Sequence, residues 1–121
     1  MQEGMVKENP TIFGKILRGE MPCDAVYEDD HCLAFKDINP AAPTHILIIP
    51  KKYIVNLLHA EAGDAEVLGH MLICAANIAR EQGLDEDGFR LVINNGAGVG
   101  QTVFHIHMHI LGGRSFGWPP G

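Results

Sequence analysis

The chain has no C-x-x-C pair. Its three cysteines, Cys23, Cys32 and Cys74, are odd in number and widely spaced, so neither a thioredoxin-type redox motif nor a zinc knuckle is available. They read as reduced thiols of an intracellular protein. Long apolar runs are also missing. Runs such as Ile46–Pro50 are far too short to span a bilayer, and the polar opening MQEGMVKENP has no signal-peptide core. The expectation is a cytoplasmic protein without a membrane partner. Basic clusters are scarce as well: 9 Lys+Arg stand against 15 Asp+Glu, a formal net charge of −6. A surface without blocks of Lys or Arg is a poor match for nucleic-acid phosphates.

What is present is one domain's worth of chain, 121 residues with a globular share of apolar residues. Residues 1–10 are expected to form a flexible tail, 11–121 a single domain, and 112–121 its C-terminal tail. Asn9-Pro10-Thr11 signals a helix start, and Ile12, Phe13, Ile16 and Leu17 give that helix an apolar face, with Gly19 as its stop. Ala25–Glu28 and Cys32–Lys36 read as a hairpin around Asp29-Asp30. Thr44–Ile49 reads as a central strand. Asp64 to Gln82 is the clearest helix, with Asp64 as N-cap and Leu68, Met71, Leu72, Ala75, Ile78, Ala79 and Gln82 on one face. Phe89–Asn94 and Val103–Leu111 complete the strands. Helix, three strands, helix, two strands is not strict βαβ alternation, so the fold class is α+β with a mainly antiparallel sheet.

Seven histidines are a conspicuous excess, and three fall within five residues: His105, His107 and His109. On a strand these share one face, and Phe104, Ile106, Met108 and Ile110 share the other. Three readings of the histidine face are open: a hydrogen-bonded stripe without chemistry, a metal site, or direct imidazole chemistry. The preceding loop, Asn94 to Thr102, has glycines at positions 96, 98 and 100. Such a loop lets backbone N–H groups approach a phosphate, although it fits neither a Walker nor a Rossmann pattern. No acidic residue lies between Phe89 and Gly121, which weakens the metal reading. His31, His59 and His70 read as solvated surface residues, and Lys51-Lys52 as an exposed pair.

His105-Ile106-His107-Met108-His109-Ile110-Leu111 matches at every position the motif of alternating histidine and apolar residues that names the histidine triad (HIT) family. The resemblance extends to Ile12–Ile16, to Phe35-Lys36-Asp37-Ile38-Asn39-Pro40, to Ala42-Pro43-Thr44-His45 and to Gly112-Gly113-Arg114. The ending Trp118-Pro119-Pro120-Gly121 resembles the branch of purine nucleoside phosphoramidases, the histidine triad nucleotide-binding proteins. This resemblance implies a five-stranded antiparallel sheet with one long and one short helix, paired as a homodimer into a ten-stranded sheet. It implies metal-independent hydrolysis of the P–N bond of AMP-amine compounds, without a cofactor, through a nucleotidyl-histidine. The same motif serves dinucleoside polyphosphate hydrolases, other nucleotidyl transferases and non-catalytic nucleotide-binding regulators.

By position, the resemblance makes His107 the nucleophile, oriented by the backbone at His105. His109 would donate to the phosphate or leaving amine, and His45 would buttress the row. Asp37 would take the ribose hydroxyls of an AMP or GMP derivative. Ile12, Phe13, Ile16, Phe35 and Ile38 would form the slot for the base. Asn94, Gly100, Gln101, Thr102 and Val103 would hold the phosphate, with the Thr102 hydroxyl close to the chemistry. Trp118 would reach the partner subunit's site.

Overall fold

The computed structural model describes residues 9–121. Helix α1 (Ile12–Leu17) is followed by strands β1 (Ala25–Glu28), β2 (Cys32–Lys36) and β3 (Thr44–Pro50), the long helix α2 (Ala65–Glu81), and strands β4 (Phe89–Val92) and β5 (Met108–Gly112). The five strands form one antiparallel sheet in the order β1-β2-β3-β5-β4. The expected sheet and helix pair are therefore present. Among the described residues no helix is long and apolar enough to cross a membrane.

The strand pleat divides the sheet into two faces. Cys32 and Ala34 of β2, Ile46 and Ile48 of β3, and Met108 and Ile110 of β5 pack beneath Met71, Cys74, Ala75, Ile78 and Ala79 of α2. The i, i+4, i+7, i+8 spacing of these helix residues makes one apolar stripe. The stripe runs slightly off the sequence reading: Leu72 and Gln82 face outward, and Cys74 is buried. On the other face Leu33, Phe35, Leu47 and Ile49 pack against Phe13 of α1. Helix α1 has only six residues, too few to stand without its cap and this packing. Thr11 caps it, its hydroxyl accepting from the Gly14 N–H at 3.1 Å.

Two boundaries differ from the sequence reading. The last strand begins at Met108, not Val103. The β3–β5 register pairs Ile48 with Met108, so the next rung would set Pro50 opposite Ile106. Proline has no N–H to give that rung. Ile106 instead donates its N–H to Ile54, and residues 103–107 bend out of the sheet, leaving Phe104 substantially exposed. With β5 gone, β4 has no partner beyond Val92 and stops before Asn94. Asp64 stands at the N-cap position of α2 as expected, but its side chain makes no cap bond to that helix and closes the 3₁₀ turn before it. It accepts from the Glu61 N–H at 2.9 Å and pairs with Lys52 at 2.5 Å. Lys51 is likewise paired, with Glu28 at 2.9 Å.

Candidate active site

Each histidine of the cleft face is held in one tautomer by a partner whose role is fixed. His105 Nε2 lies 2.8 Å from the Pro50 carbonyl, which only accepts, so Nε2 carries the proton. Its Nδ1 then accepts from Asn9 Nδ2 at 2.8 Å. Asn9 is oriented for this because its Oδ1 accepts from the Thr11 N–H and hydroxyl, at 3.0 and 2.7 Å. His107 Nδ1 donates to the His105 carbonyl at 2.8 Å, leaving a lone pair on Nε2. His45 Nδ1 accepts from the Ala41 N–H at 2.9 Å. Its Nε2 therefore donates to His109 Nδ1, also at 2.9 Å, and His109 Nε2 bears an N–H.

The site thus presents a bare imidazole nitrogen on His107 and an N–H on His109, with ring centroids 5.1 Å apart. The sheet sets this spacing. Phe35, Leu47, His109 and Val92 form one cross-strand row, and His45 sits diagonally from His109 on β3. The edge of the Phe13 ring meets the His107 ring at a centroid distance of 5.0 Å. Asp37 follows β2 and lies opposite His45, its N–H bonded to the His45 carbonyl at 3.0 Å and its Oδ2 3.4 Å from His45 Nε2.

Burial keeps the His105, His107 and His109 rings neutral. It lowers His105 to about 4, against the raising effect of the bond to Pro50 and with a smaller push from His107. It lowers His109 to about 4, helped by His107 and His45 and opposed by Asp37. His107 is also lowered by burial, against the raising effects of its bond to the His105 carbonyl and of Asp37. A neutral His107 at pH 7 keeps its lone pair.

The rings open onto a cleft of about 250 Å³. Of the residues singled out from sequence, Ile12, Phe13, Ile16, Phe35, Asp37, Ile38, Thr102, Val103, His107 and His109 all line it. His45 and His105 stand behind it, where they touch the other histidines. Lys36 lines it too, as do Met21, Pro22, Cys23 and Asp24, which sequence reasoning missed. The loop before the triad behaves differently from expectation. Gly96 and Gly100 have φ of +110° and +107°, which only glycine adopts readily. Asn94 packs its side chain against Gly100. The Gln101 side chain, however, is fully buried and turned inward. Its oxygen accepts from Gly96 N–H and Asn56, and its nitrogen donates to Val55 and Val103. It shapes the loop and does not face the cleft. Trp118 is 84% exposed and does not line the cleft of its own chain.

Asn9 is the residue that sequence reasoning missed most clearly. The sequence places it in a flexible tail, yet it is 1% exposed and joins α1 to His105. Residues 1–8 of that tail lie outside the described residues. Asp37, His45 and His109 also bring three ligand-type atoms within 4.8 Å of one another, as do Asp29, Cys32, His70 and Cys74 on the helix side. In the first group the His45–His109 hydrogen bond already engages one nitrogen of each ring.

The chain is similar throughout to proteins already described. The HIT domain family pattern matches residues 18–116. The "14 kDa zinc-binding protein" of Zea mays is 53% identical over 116 residues, covering 94% of this chain and 90% of the maize protein. A HIT family hydrolase from Legionella pneumophila superposes with a TM-score of 0.89 at 52% identity, covering 91% of this chain and 98% of that one. A histidine triad nucleotide-binding protein from Candida albicans superposes with a TM-score of 0.78 at 31% identity, covering 90% and 82%. By pattern, sequence identity and fold, the chain belongs to the HIT domain family.

Proposed function

We propose that this chain hydrolyses the P–N bond of purine nucleoside 5′-phosphoramidates through a nucleotidyl-histidine on His107. One observation carries the reading: His107 Nε2 is held as a free lone pair by the backbone carbonyl behind it, beside the N–H of His109. A nucleophile and a proton donor in one cleft suit displacement at phosphorus. His107 Nε2 attacks the phosphorus and the P–N bond breaks, the His109 N–H hydrogen-bonding to the leaving nitrogen while the amine takes its proton from solvent. Water then attacks the phosphorus, loses its proton to solvent and frees His107. Asp37, at the rim, offers two oxygens to the ribose hydroxyls, and the Ile12, Phe13, Ile16 and Phe35 side chains flank the base. The Gly100 and Gln101 N–H groups are taken up by the Ala97 and Gly96 carbonyls, so the further phosphate donors are the Thr102 and Val103 N–H groups and the Thr102 hydroxyl.

The names of the Legionella and Candida proteins, a hydrolase and a nucleotide-binding protein, accord with this reading. Zinc stands in the name of the maize protein. The steps above use only this chain's own groups, so a chelator leaves the rate unchanged. We read the working unit as a homodimer. Strand β4 is an open sheet edge, and Phe89 on it, with Leu72 and Ile73 on α2, is exposed. The test compares turnover of an AMP phosphoramidate and a dinucleoside polyphosphate, with and without chelator. Faster turnover of the phosphoramidate, unaffected by chelator, is the expected result. Preference for the polyphosphate, or loss of activity with chelator while the chain stays folded, overturns the reading.

A further inference from the structure

On the far side of the sheet from the histidine cleft, four other ligand-type side chains converge. Asp29 and Cys32 come from the β1–β2 turn and the start of β2, and His70 and Cys74 from α2. Residues four apart on a helix stand one above the other on the same face. The spacing of His70 and Cys74 therefore aims both at the hairpin. Their donor atoms, with those of Asp29 and Cys32, all lie within 4.8 Å of one another. Asp29 Oδ1 is anchored by the His31 and Cys32 N–H groups at 2.8 and 2.9 Å. That anchoring turns Oδ2 into the cluster.

Three donors are directed at that single oxygen: His70 Nε2 at 2.6 Å, the Tyr27 hydroxyl at 2.7 Å and Cys74 Sγ at 3.8 Å. A carboxylate oxygen has about two lone pairs, so three donors exceed what it accepts well. Cys74 Sγ is also 3.3 Å from His70 Nε2. The Cys32 thiol, 0% exposed, completes the group. Donors set tetrahedrally about 2.0–2.3 Å from one ion stand roughly 3.3–3.8 Å apart. The observed contacts reach that geometry with shifts of up to about an ångström. The donor set is two sulfurs, one imidazole and one carboxylate, which suits a borderline-soft ion in tetrahedral coordination better than calcium or magnesium. His70 and Asp29 are partly exposed, at 36% and 23% of their side chains, and so provide a way in.

We propose that Asp29, Cys32, His70 and Cys74 form a tetrahedral binding site for zinc or a similar divalent ion, clamping the β1–β2 hairpin to α2. On binding, both thiols lose their protons to solvent, His70 keeps one proton by moving it to Nδ1, and Asp29 binds as the carboxylate. Nothing in this proposal depends on the chemistry of the histidine cleft.

The test uses the full chain, stripped with chelator, held in a phosphine reductant and titrated with cobalt(II). One equivalent is expected to give a thiolate-to-cobalt charge-transfer band in the near ultraviolet and visible bands of tetrahedral intensity. Zinc should displace both. Loss of a ligand costs more than the roughly 10–100-fold in affinity typical of an outer partner. His70→Gln and Cys74→Ser should therefore each weaken binding by more than that. His70 is partly exposed, so His70→Gln decides the matter even where Cys74→Ser fails to fold. Absence of the thiolate band in the wild-type chain overturns the site. So does a band that survives His70→Gln with unchanged affinity, or binding with nitrogen ligands alone.

Discussion

On the cleft face of the sheet the histidines share hydrogen bonds one to one. On the helix face three donors crowd one carboxylate oxygen. The cleft chain runs from Ala41 through His45 to His109, and from Asn9 through His105 to Pro50. After every pairing is made, one lone pair remains on His107 and one N–H on His109. The helix-side group has protons in excess instead: two thiols, an imidazole and a phenol around Asp29. The same residue types therefore do different work. A chain with one lone pair to spare suits a nucleophile, and a knot of protons about a carboxylate suits replacement by a cation.

The comparison breaks most sharply at His107. Replacing it with Ala removes the one free lone pair, and turnover of an AMP phosphoramidate should fall on the order of 10⁴-fold or more. AMP binding, measured by calorimetry, should be largely retained, because Asp37 and the apolar slot are untouched. Near-normal turnover would show that the lone pair is not the nucleophile.

A second test uses pH. In the folded chain burial lowers His105 from 6.5 to about 4. Above pH 6.5 the ring is neutral in both folded and unfolded chains and contributes no pH dependence. As pH falls from 6.5 toward 4 the unfolded chain takes up a proton that the folded chain refuses. A shift from 6.5 to about 4 corresponds to a loss of about 3 kcal/mol from His105, levelling off below about pH 4, and the like shift of His109 adds to it in the same window. Urea denaturation at pH 7, 5.5 and 4 measures it. A flat curve would mean that His105 is not held neutral. The cleft and helix faces would then differ less than their bonding implies.

Asn9 sharpens the same contrast. Asn9→Leu leaves the His105 Nδ1 lone pair buried without a donor, at a cost of about 1–3 kcal/mol. Urea unfolding reads it directly. Gly14→Ala reports on the same corner, since a Cβ there would sit 2.5 Å from the Asn9 carbonyl oxygen. It should destabilise by about 1–3 kcal/mol. Wild-type stability in either variant would mean that the Asn9–His105 bond does not hold α1 to the triad.

These residues also show where sequence reading works and where it stops. The apolar periods of Met71, Ala75, Ile78 and Ala79 and of Ile46 and Ile48 placed helix and strand almost to the residue, because each pattern is local. His107, His109 and Asp37 were legible through the family resemblance, and the structure gathers them about one cleft. The extent of β5 was not, because it depends on the register that brings Pro50 opposite Ile106. Asn9 was missed since its partner is 96 residues away. His70 was read as a surface residue because its partners come from the first hairpin, 41 residues earlier for Asp29. Gln101 carries the right residue type for a phosphate contact, but its burial among Asn56, Val55 and Gly96 directs its amide inward. Chemistry carried within one strand is visible in sequence; contacts made by register and packing between distant segments are not.

The smallest expected effect concerns how α1 is attached to the cleft. Thr11 caps a six-residue helix and also donates its hydroxyl to Asn9. Thr11→Ala removes both bonds, at a cost of about 1 kcal/mol in stability, whereas Thr11→Ser retains them. Because α1 carries Ile12, Phe13 and Ile16 into the cleft, loosening it should disturb the base slot before it disturbs the imidazoles. The expected signature is a KM for AMP phosphoramidate raised a few-fold with kcat nearly unchanged, restored by Thr11→Ser. That split follows from the bonding of the site. The His107 lone pair is fixed by the His105 carbonyl and the His109 N–H by His45, so neither depends on the α1 cap. A fall in kcat with an unchanged KM would reverse the assignment and make α1 part of the catalytic alignment.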